Sequence, residues 1–97
     1  MDSIEIEDLK KLLSKEKINI IDIRPINSIV DGKMPFAKNI SPTLLVHNPN
    51  DYIDRNEKYY IYCQSGTQSK LVVELLNSKG YQTVNINGGY NNYLLRK

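Results

Sequence analysis

The amino-acid sequence predicts a small three-layer α/β domain, with a mostly parallel central sheet and helices on both faces. Short apolar runs alternate along the chain with segments whose apolar residues recur at helical spacing. The runs are nearly continuous, as expected for strands that are buried on both faces. The chain has 97 residues, 40% of them hydrophobic and 25% charged, so we expect a single domain over residues 1–97.

The N-terminal half predicts two strands and three helical segments. Charged residues separate Ile6, Leu9, Leu12 and Leu13, which share one helix face. In chain order, we expect an extended stretch and a helix within residues 3–13, a strand at 18–23 that Pro25 ends, a short helix at 26–30, a strand at 37–40, and a helix that begins at Ser41-Pro42 and turns Leu44, Leu45 and Val46 inward.

The C-terminal half repeats the alternation. Residues 59–62 are aromatic and β-branched and therefore predict a strand. A helix is expected at 69–79, with Leu71, Val72, Leu75 and Leu76 as its apolar side and Gly80 as its C-cap. A strand at 83–86, a turn at Gly88-Gly89 and a helix at 90–95 complete the predicted order.

Composition excludes several classes of protein. Thirteen Lys and Arg stand against eleven Asp and Glu, for a net charge of +2, so neither nucleic acid nor an anionic membrane is expected as a partner. No apolar run approaches the roughly 20 residues of a membrane span, and the N-terminus lacks a signal-peptide pattern. One cysteine cannot form an internal disulfide, so a reducing cytoplasm is the expected location.

That cysteine, Cys63, lies where the predicted strand at 59–62 meets a short polar loop, Gln64 to Gln68, that contains Gly66. Ligands of open α/β sheets bind beyond the carboxyl ends of the strands. Free N–H groups of the loop and of the following helix favour an anion there. The anion could be the thiolate itself, since such a site lowers a cysteine pKa. The alternative is that Cys63 is only a small buried apolar residue.

Four segments, in the same order and spacing, resemble the motifs of a single-domain rhodanese. The family pattern C-R-x-G-x-R-S corresponds to residues 63–69, and x-x-D-V-R corresponds to residues 20–24. The pattern G-H-I-P-G-A corresponds to residues 32–37, followed by Asn39-Ile40. The pattern L-x-x-x-G-y-x-x-V-x-x-L-x-G-G is matched at Leu76, Gly80, Tyr81, Val84 and Gly88-Gly89. The resemblance covers nearly the whole chain.

The resemblance implies a sulfurtransferase that carries sulfane sulfur as a persulfide on its cysteine, here Cys63. It implies a small sulfur donor and a thiol or cyanide acceptor, with a protein acceptor as a further candidate, and neither a metal nor an organic cofactor. The residues that would bind substrate are Gln64, Ser65, Gly66, Thr67, Gln68 and Ser69. Supporting roles fall to Asp22, Arg24 and Lys33, where Lys33 stands at the histidine of the family pattern.

Departures from the pattern leave alternatives open. Gln64 and Gln68 replace two arginines, whose planar forks suit oxyanions such as thiosulfate. The preferred donor is therefore expected to be a persulfide or polysulfide. The rival function is a catalytically weak or inactive binding or regulatory module. A phosphatase or arsenate reductase is disfavoured, because Ser69 stands where a C-x5-R loop has its arginine.

Other polar and aromatic residues are expected to be structural. Asp22 and Arg24 predict an ion pair that anchors the end of a strand, with indirect support of the site through hydrogen bonds as the alternative. His47, the only histidine, lies among turn residues and is expected at the surface. The tyrosines of the strand at 59–62 are expected in the core or at its rim.

Overall fold

Five strands form one parallel sheet. The structure is a computed structural model that describes residues 2–95. Its strands are β1 (Ser3–Ile4), β2 (Asn19–Asp22), β3 (Lys38–Asn39), β4 (Lys58–Tyr62) and β5 (Gln82–Ile86). Their order across the sheet is β1-β5-β4-β2-β3, and each of these neighbouring pairs is parallel. The predicted parallel α/β fold is confirmed.

Four α-helices connect the strands and cover the sheet. They are α1 (Ile6–Lys15), α2 (Pro42–His47), α3 (Thr67–Ser78) and α4 (Gly89–Leu95). The short helix expected at 26–30 is a 3-10 helix, Ile26–Asp31, and a second one spans Pro49–Asp51. Predicted and observed bounds otherwise differ by one or two residues, the usual uncertainty at element ends. Ser41 precedes α2 as expected, but its side chain makes no capping hydrogen bond.

Strand β4 has a buried face on each side. Tyr59 and Ile61 pack in a core beneath α2 and α3. Tyr60 and Tyr62 point the other way, into a second core beneath α1 and α4. Because side chains alternate along a strand, this double burial explains why β4 reads as an unbroken apolar run. It also confirms the prediction that these tyrosines belong to the core.

Helix α3 buries a different stripe from the one expected. Val72 and Leu76 are buried as predicted, and Ser69 and Val73 complete the inward side. Leu71 is 59% exposed and Leu75 is 48% exposed, so the prediction for these two leucines was wrong. Because the inward side of α3 includes the polar residue Ser69, the positions of the apolar residues alone did not identify the buried face.

The buried side of helix α2 is also narrower than its apolar residues predicted. Leu45 is completely buried, whereas Leu44 is 47% exposed and Val46 is only partly buried. A helix of six residues that lies against one side of the domain can turn only a narrow stripe inward. The expectation that all three residues face the core was wrong for Leu44.

The end of α3 follows the predicted C-cap. Gly80 has a φ of +94°, and its N–H donates to the carbonyl of Asn77 at 3.1 Å. The N–H of Tyr81 donates to the carbonyl of Leu76 at 3.2 Å. These two bonds form a Schellman motif, which turns the chain from α3 into β5.

The contrast within α3 gives a test of the packing. Leu76→Ala should lower the free energy of unfolding by about 2–5 kcal/mol, because it opens a cavity in a fully buried position. Leu75→Ala, its neighbour in sequence and half exposed, should cost about 1 kcal/mol or less. Urea unfolding followed by circular dichroism measures both, and equal losses would contradict the assigned face.

Candidate active site

The sulfur of Cys63 lies at the carboxyl end of β4, inside a ring of hydrogen-bond donors. The backbone N–H of Gly66 donates to Sγ at 3.1 Å, and that of Ser69 donates at 3.3 Å. The Ser69 hydroxyl oxygen is 3.4 Å from Sγ. These donors come from the loop and the first turn of α3, where the N–H groups have no partner within the helix. The residue itself is 4% exposed.

These contacts decide the ionisation of the thiol. Burial raises the pKa of Cys63, because it disfavours the charged form. Hydrogen bonds from the Ser69 side chain and from the backbone of Ser69, Gly66 and Ser65 act in the opposite direction and outweigh burial. The pKa of Cys63 is therefore below its ordinary value, which favours a nucleophilic thiolate.

Gly66 lets the loop close tightly over the sulfur. Its φ is +93°, in the left-handed region, and it immediately precedes α3. A β-carbon at this position would lie 2.8 Å from the backbone nitrogen of Gly88. The loop thus needs glycine both for its backbone angle and for its contact with the turn before α4.

The N-terminus of α4 holds the other side of the same loop. The N–H of Tyr90 donates to the Cys63 carbonyl at 3.0 Å, and the N–H of Asn91 donates to the Gln64 carbonyl at 3.0 Å. Gly89 has a φ of +58°, and a β-carbon there would overlap the Cys63 carbonyl oxygen. With its carbonyls bound to α4, the loop is free to direct N–H groups at the sulfur. The sequence predicted the Gly88-Gly89 turn but gave no sign of this contact.

A buried ion pair supports the site from β2. Asp22 is completely buried and Arg24 is 4% exposed; Nη2 of Arg24 lies 2.7 Å from Oδ2 of Asp22. Nη2 also donates to the Gly32 carbonyl at 2.8 Å. The pKa of Arg24 is raised overall, because the hydrogen bond and charge of Asp22 outweigh the lowering effect of burial. The predicted ion pair at the end of the strand is present.

Tyr62 completes this buried cluster, and sequence reasoning missed it. Its hydroxyl donates to Oδ2 of Asp22 at 2.6 Å and accepts the N–H of Met34 at 3.0 Å. Burial, reinforced by the Asp22 hydrogen bond, raises the pKa of Tyr62. The phenol therefore remains a neutral donor to the carboxylate. The β2–β4 register pairs Asp22 with Tyr62, so the contact depends on strand order.

The glutamines that replace the family arginines have different surroundings. Gln64 accepts from Nη1 of Arg24 at 3.3 Å and donates to Oδ1 of Asn91 at 2.6 Å. Gln68 is exposed and lines a surface depression of about 330 Å³, together with Arg24, Asn39 and Ser41. Gln64 thus connects the end of β2 to α4, whereas Gln68 lies at the surface, beside residues that follow β2 and β3.

The side chains of the remaining predicted site residues contact residues other than Cys63. The hydroxyls of Ser65 and Thr67, on two exposed residues, are 3.4 Å apart. Lys33 donates from Nζ to the Ala37 carbonyl at 3.1 Å, so its observed hydrogen bond is to its own loop. Lys70, the cation that follows the loop in sequence but was not among the predicted site residues, lines a different depression, beside Glu74 and Asn87 near β1.

The comparisons with known proteins agree on the family. A model of the rhodanese-like domain matches residues 5–96.

The chain belongs to the rhodanese-like domain family.

Relatives cover nearly all of this rhodanese-like domain. A Bacillus subtilis (strain 168) protein named "Putative sulfurtransferase YtwF" is 29% identical over 92 residues, which covers 89% of this chain and 88% of that protein. Among solved structures, SSP1007 from Staphylococcus saprophyticus superposes with a TM-score of 0.89 at 34% identity, over 96% of this chain and 93% of that one. A rhodanese-like domain protein from Staphylococcus aureus superposes with a TM-score of 0.87 at 36% identity, over 96% of this chain and 91% of that one.

The single histidine of this rhodanese-like domain lies at the surface. His47 is exposed, as predicted, and its Nδ1 lies 2.8 Å from the Thr43 carbonyl oxygen. Within residues 2–95, no group of three or more His, Cys, Asp or Glu side chains could hold a metal ion. Over the same range, no helix combines the length and apolar character that crossing a membrane requires.

The contact between the loop and α4 can be tested at Gly89. Gly89→Ala should destabilise the domain by roughly 2 kcal/mol more than Gly80→Ala, as judged by urea unfolding. Both positions have a positive φ, but only at Gly89 does the new β-carbon meet backbone carbonyls; at Gly80 it meets the Arg55 side chain at 3.4 Å. Equal losses would show that the close approach to the loop is unimportant.

Proposed function

We propose that this domain is a sulfurtransferase that carries sulfane sulfur as a persulfide on Cys63. The observation that carries the proposal is the position of Sγ, which two backbone N–H groups reach at 3.1 and 3.3 Å. Such donors stabilise a sulfur anion without any nearby cation. The depressed pKa of Cys63 supports the same role.

The reaction has two half-reactions in which electrons balance without an outside oxidant. The Cys63 thiolate attacks the sulfane sulfur of the donor and forms a new S–S bond. The bond between that sulfur and the rest of the donor breaks, and the donor leaves with the electron pair. In the second step, an acceptor thiolate or cyanide attacks the outer sulfur, and Cys63 leaves again as a thiolate. Ping-pong kinetics follow from this order.

The buried position of Cys63 is compatible with transfer. An S–S bond of about 2 Å places the transferable atom beyond Sγ. The outer sulfur, not Sγ, is then the atom that an acceptor must reach. A small thiol, cyanide or an exposed thiol of a partner protein would serve as acceptor. A reducing compartment such as the cytoplasm would keep Cys63 available as a thiol.

The charges around the loop favour a persulfide or polysulfide donor over thiosulfate. Residues 63–69 contain no cation. Every guanidinium nitrogen of Arg24 already donates to Asp22, Gly32 or Gln64. Thiosulfate carries an oxyanion that arginine would bind in a bidentate manner, whereas a persulfide needs mainly the donors that surround Sγ.

Intact-mass measurement tests the persulfide directly. After incubation with glutathione persulfide or a polysulfide and removal of the donor, the wild-type protein should gain one sulfur, about 32 Da, and Cys63→Ala should gain none. Both proteins should give the same circular dichroism spectrum, since the change is small. A folded wild-type protein that gains no sulfur from any donor would contradict the proposal and favour a binding or regulatory module.

The donor preference can be tested by returning one arginine to the loop. Gln68→Arg should increase the rate of sulfur loading from thiosulfate by about tenfold or more, because a hydrogen bond to a charged group contributes roughly 1.5–3 kcal/mol. Its effect on loading from a persulfide should be small. The depression that Gln68 lines has room for the longer side chain.

Gln82→Arg is the matched control. Gln82 is also exposed, but it is the first residue of β5 and so lies at the amino-terminal end of the parallel strands, whereas Cys63 follows the carboxyl end of β4. This variant adds the same charge to the protein without adding it to the loop. An equal gain from both variants would mean that net charge, rather than a contact at the loop, limits the use of thiosulfate.

A further inference from the structure

A series of hydrogen-bonded polar side chains leads from the buried sulfur to Glu5 at the surface, between β1 and α1. The Ser69 hydroxyl lies 3.4 Å from Sγ of Cys63 and donates to Oδ1 of Asn85 at 2.5 Å. Nδ2 of Asn85 donates to Oδ1 of Asn87 at 3.2 Å, and Nδ2 of Asn87 donates to the Glu5 carboxylate at 2.7 Å. Ser69 is completely buried and Asn85 is 3% exposed.

Groups that can only accept hydrogen bonds determine which way the amides of Asn85 and Asn87 point, and hence which group donates in each hydrogen bond of the series. The Glu5 carboxylate requires the amide nitrogen of Asn87, so the Asn87 oxygen must face Asn85. The amide nitrogen of Asn85 also faces the Gly66 carbonyl, at 3.4 Å. A flipped Asn85 would place its oxygen against two other acceptors. Its oxygen must therefore face the Ser69 hydroxyl.

This direction creates a competition for one proton. A serine hydroxyl has a single hydrogen to donate. The Asn85 oxygen is 2.5 Å away from the Ser69 oxygen, whereas the Gly66 carbonyl oxygen is 3.3 Å away and the Cys63 sulfur is 3.4 Å away. When the hydrogen lies on the Asn85 side, the lone pairs of Ser69 face Cys63 and can accept from its S–H. When Cys63 ionises, the sulfur needs the same hydrogen.

We propose that Asn85 is a positioning residue that competes with the Cys63 sulfur for the Ser69 hydroxyl proton. The Ser69 hydroxyl then lowers the pKa of Cys63 less than it would without Asn85, and the backbone N–H groups of Gly66 and Ser69 add to the stabilisation of the thiolate. A thiolate that receives fewer hydrogen bonds is more basic and a better nucleophile once formed. The inference rests on the proposed role of Cys63 as a nucleophile, but its test needs no sulfur donor.

Other titratable groups lie on the elements packed around Cys63, and the variants below leave them in place. Within residues 2–95, the groups on the side of β2 are the Asp22–Arg24 pair and Tyr62, and those in the core that contains Cys63 are Tyr59 and Tyr81. The others are Lys70 in the first turns of α3, Tyr90 in α4, and Glu5 at the far end of the hydrogen-bonded series of side chains. A shift that depends on both Asn85 and Ser69 therefore cannot come from these groups.

The decisive experiment is a double-mutant cycle on the titration of Cys63. The variants are Asn85→Leu, Ser69→Ala and the double variant. Thiolate absorbance in the ultraviolet is followed against pH, with the same protein carrying Cys63→Ala subtracted to remove the tyrosine signal. Asn85→Leu should move the midpoint to lower pH and raise the thiolate fraction below the midpoint by about tenfold. Ser69 loses its nearest acceptor, and only the Gly66 carbonyl, at 3.3 Å, then competes with the sulfur for its hydrogen.

The cycle separates competition from a general effect of the substitution. Ser69→Ala should raise the midpoint in both backgrounds, but clearly less in the wild-type background than in the Asn85→Leu background. The rate constant of the fully ionised thiolate with iodoacetamide should also fall in Asn85→Leu, as nucleophilicity falls with pKa. Equal effects of Ser69→Ala in both backgrounds, or an unchanged midpoint in Asn85→Leu, would overturn the proposal.

Asn85→Asp provides a second test if the leucine variant does not fold. A carboxyl group at this position retains the acceptor for Ser69, and its charge would disfavour a nearby thiolate. Its midpoint should therefore lie at or above that of the wild type, and a clearly lower midpoint would overturn the proposal. Circular dichroism establishes folding, and the titration remains informative even if no sulfur donor loads Cys63.

Discussion

The site depends on the attachment of the Cys63 loop to the N-terminus of α4. Two free N–H groups of α4 donate to the carbonyls of Cys63 and Gln64, which take the place of the missing preceding turn of the helix. A peptide unit whose carbonyl is bound on one side presents its N–H elsewhere. The loop can therefore direct N–H groups at Sγ only while α4 remains in place, and Gly89 permits the close approach.

A second constraint lies beneath the loop, in the cluster of Asp22, Arg24 and Tyr62. Buried ion pairs are weak contributors to stability unless hydrogen bonds satisfy their remaining groups. Here the Tyr62 hydroxyl and the Gly32 carbonyl do so, and the Arg24 guanidinium lies 4.2 Å from the centre of the Tyr90 ring. The cluster joins β2 and β4 to α4. It also leaves Arg24 poorly suited to bind a substrate anion.

The amide side chains of Gln64 and Asn85 both lie near Cys63, but their hydrogen bonds have different consequences for sulfur chemistry. Gln64 uses both ends of its amide to join Arg24 and Asn91, and so serves the architecture of the loop. Asn85 faces the one side-chain hydroxyl beside the sulfur. Neutral amides thus hold the loop and adjust its hydrogen bonds without adding charge. In the proposed role, backbone N–H groups and the Ser69 hydroxyl stabilise the sulfur anion, and residues 63–69 contain no charged side chain besides the thiolate itself.

The sequence by itself determined the order of strands and helices, the turns at Gly66, Gly80 and Gly88-Gly89, and the place of Cys63 at a strand end. Apolar periodicity and glycine positions carry that information locally, and the family motifs indicated which loop mattered. It did not determine which side of α3 is buried, because Ser69 belongs to the inward stripe. Nor could it join Tyr62 to Asp22, α4 to the loop, or Asn85 to Ser69. Those contacts link residues 16 to 40 positions apart, and they arise only when strand order and register bring the carboxyl ends of β2, β4 and β5 together.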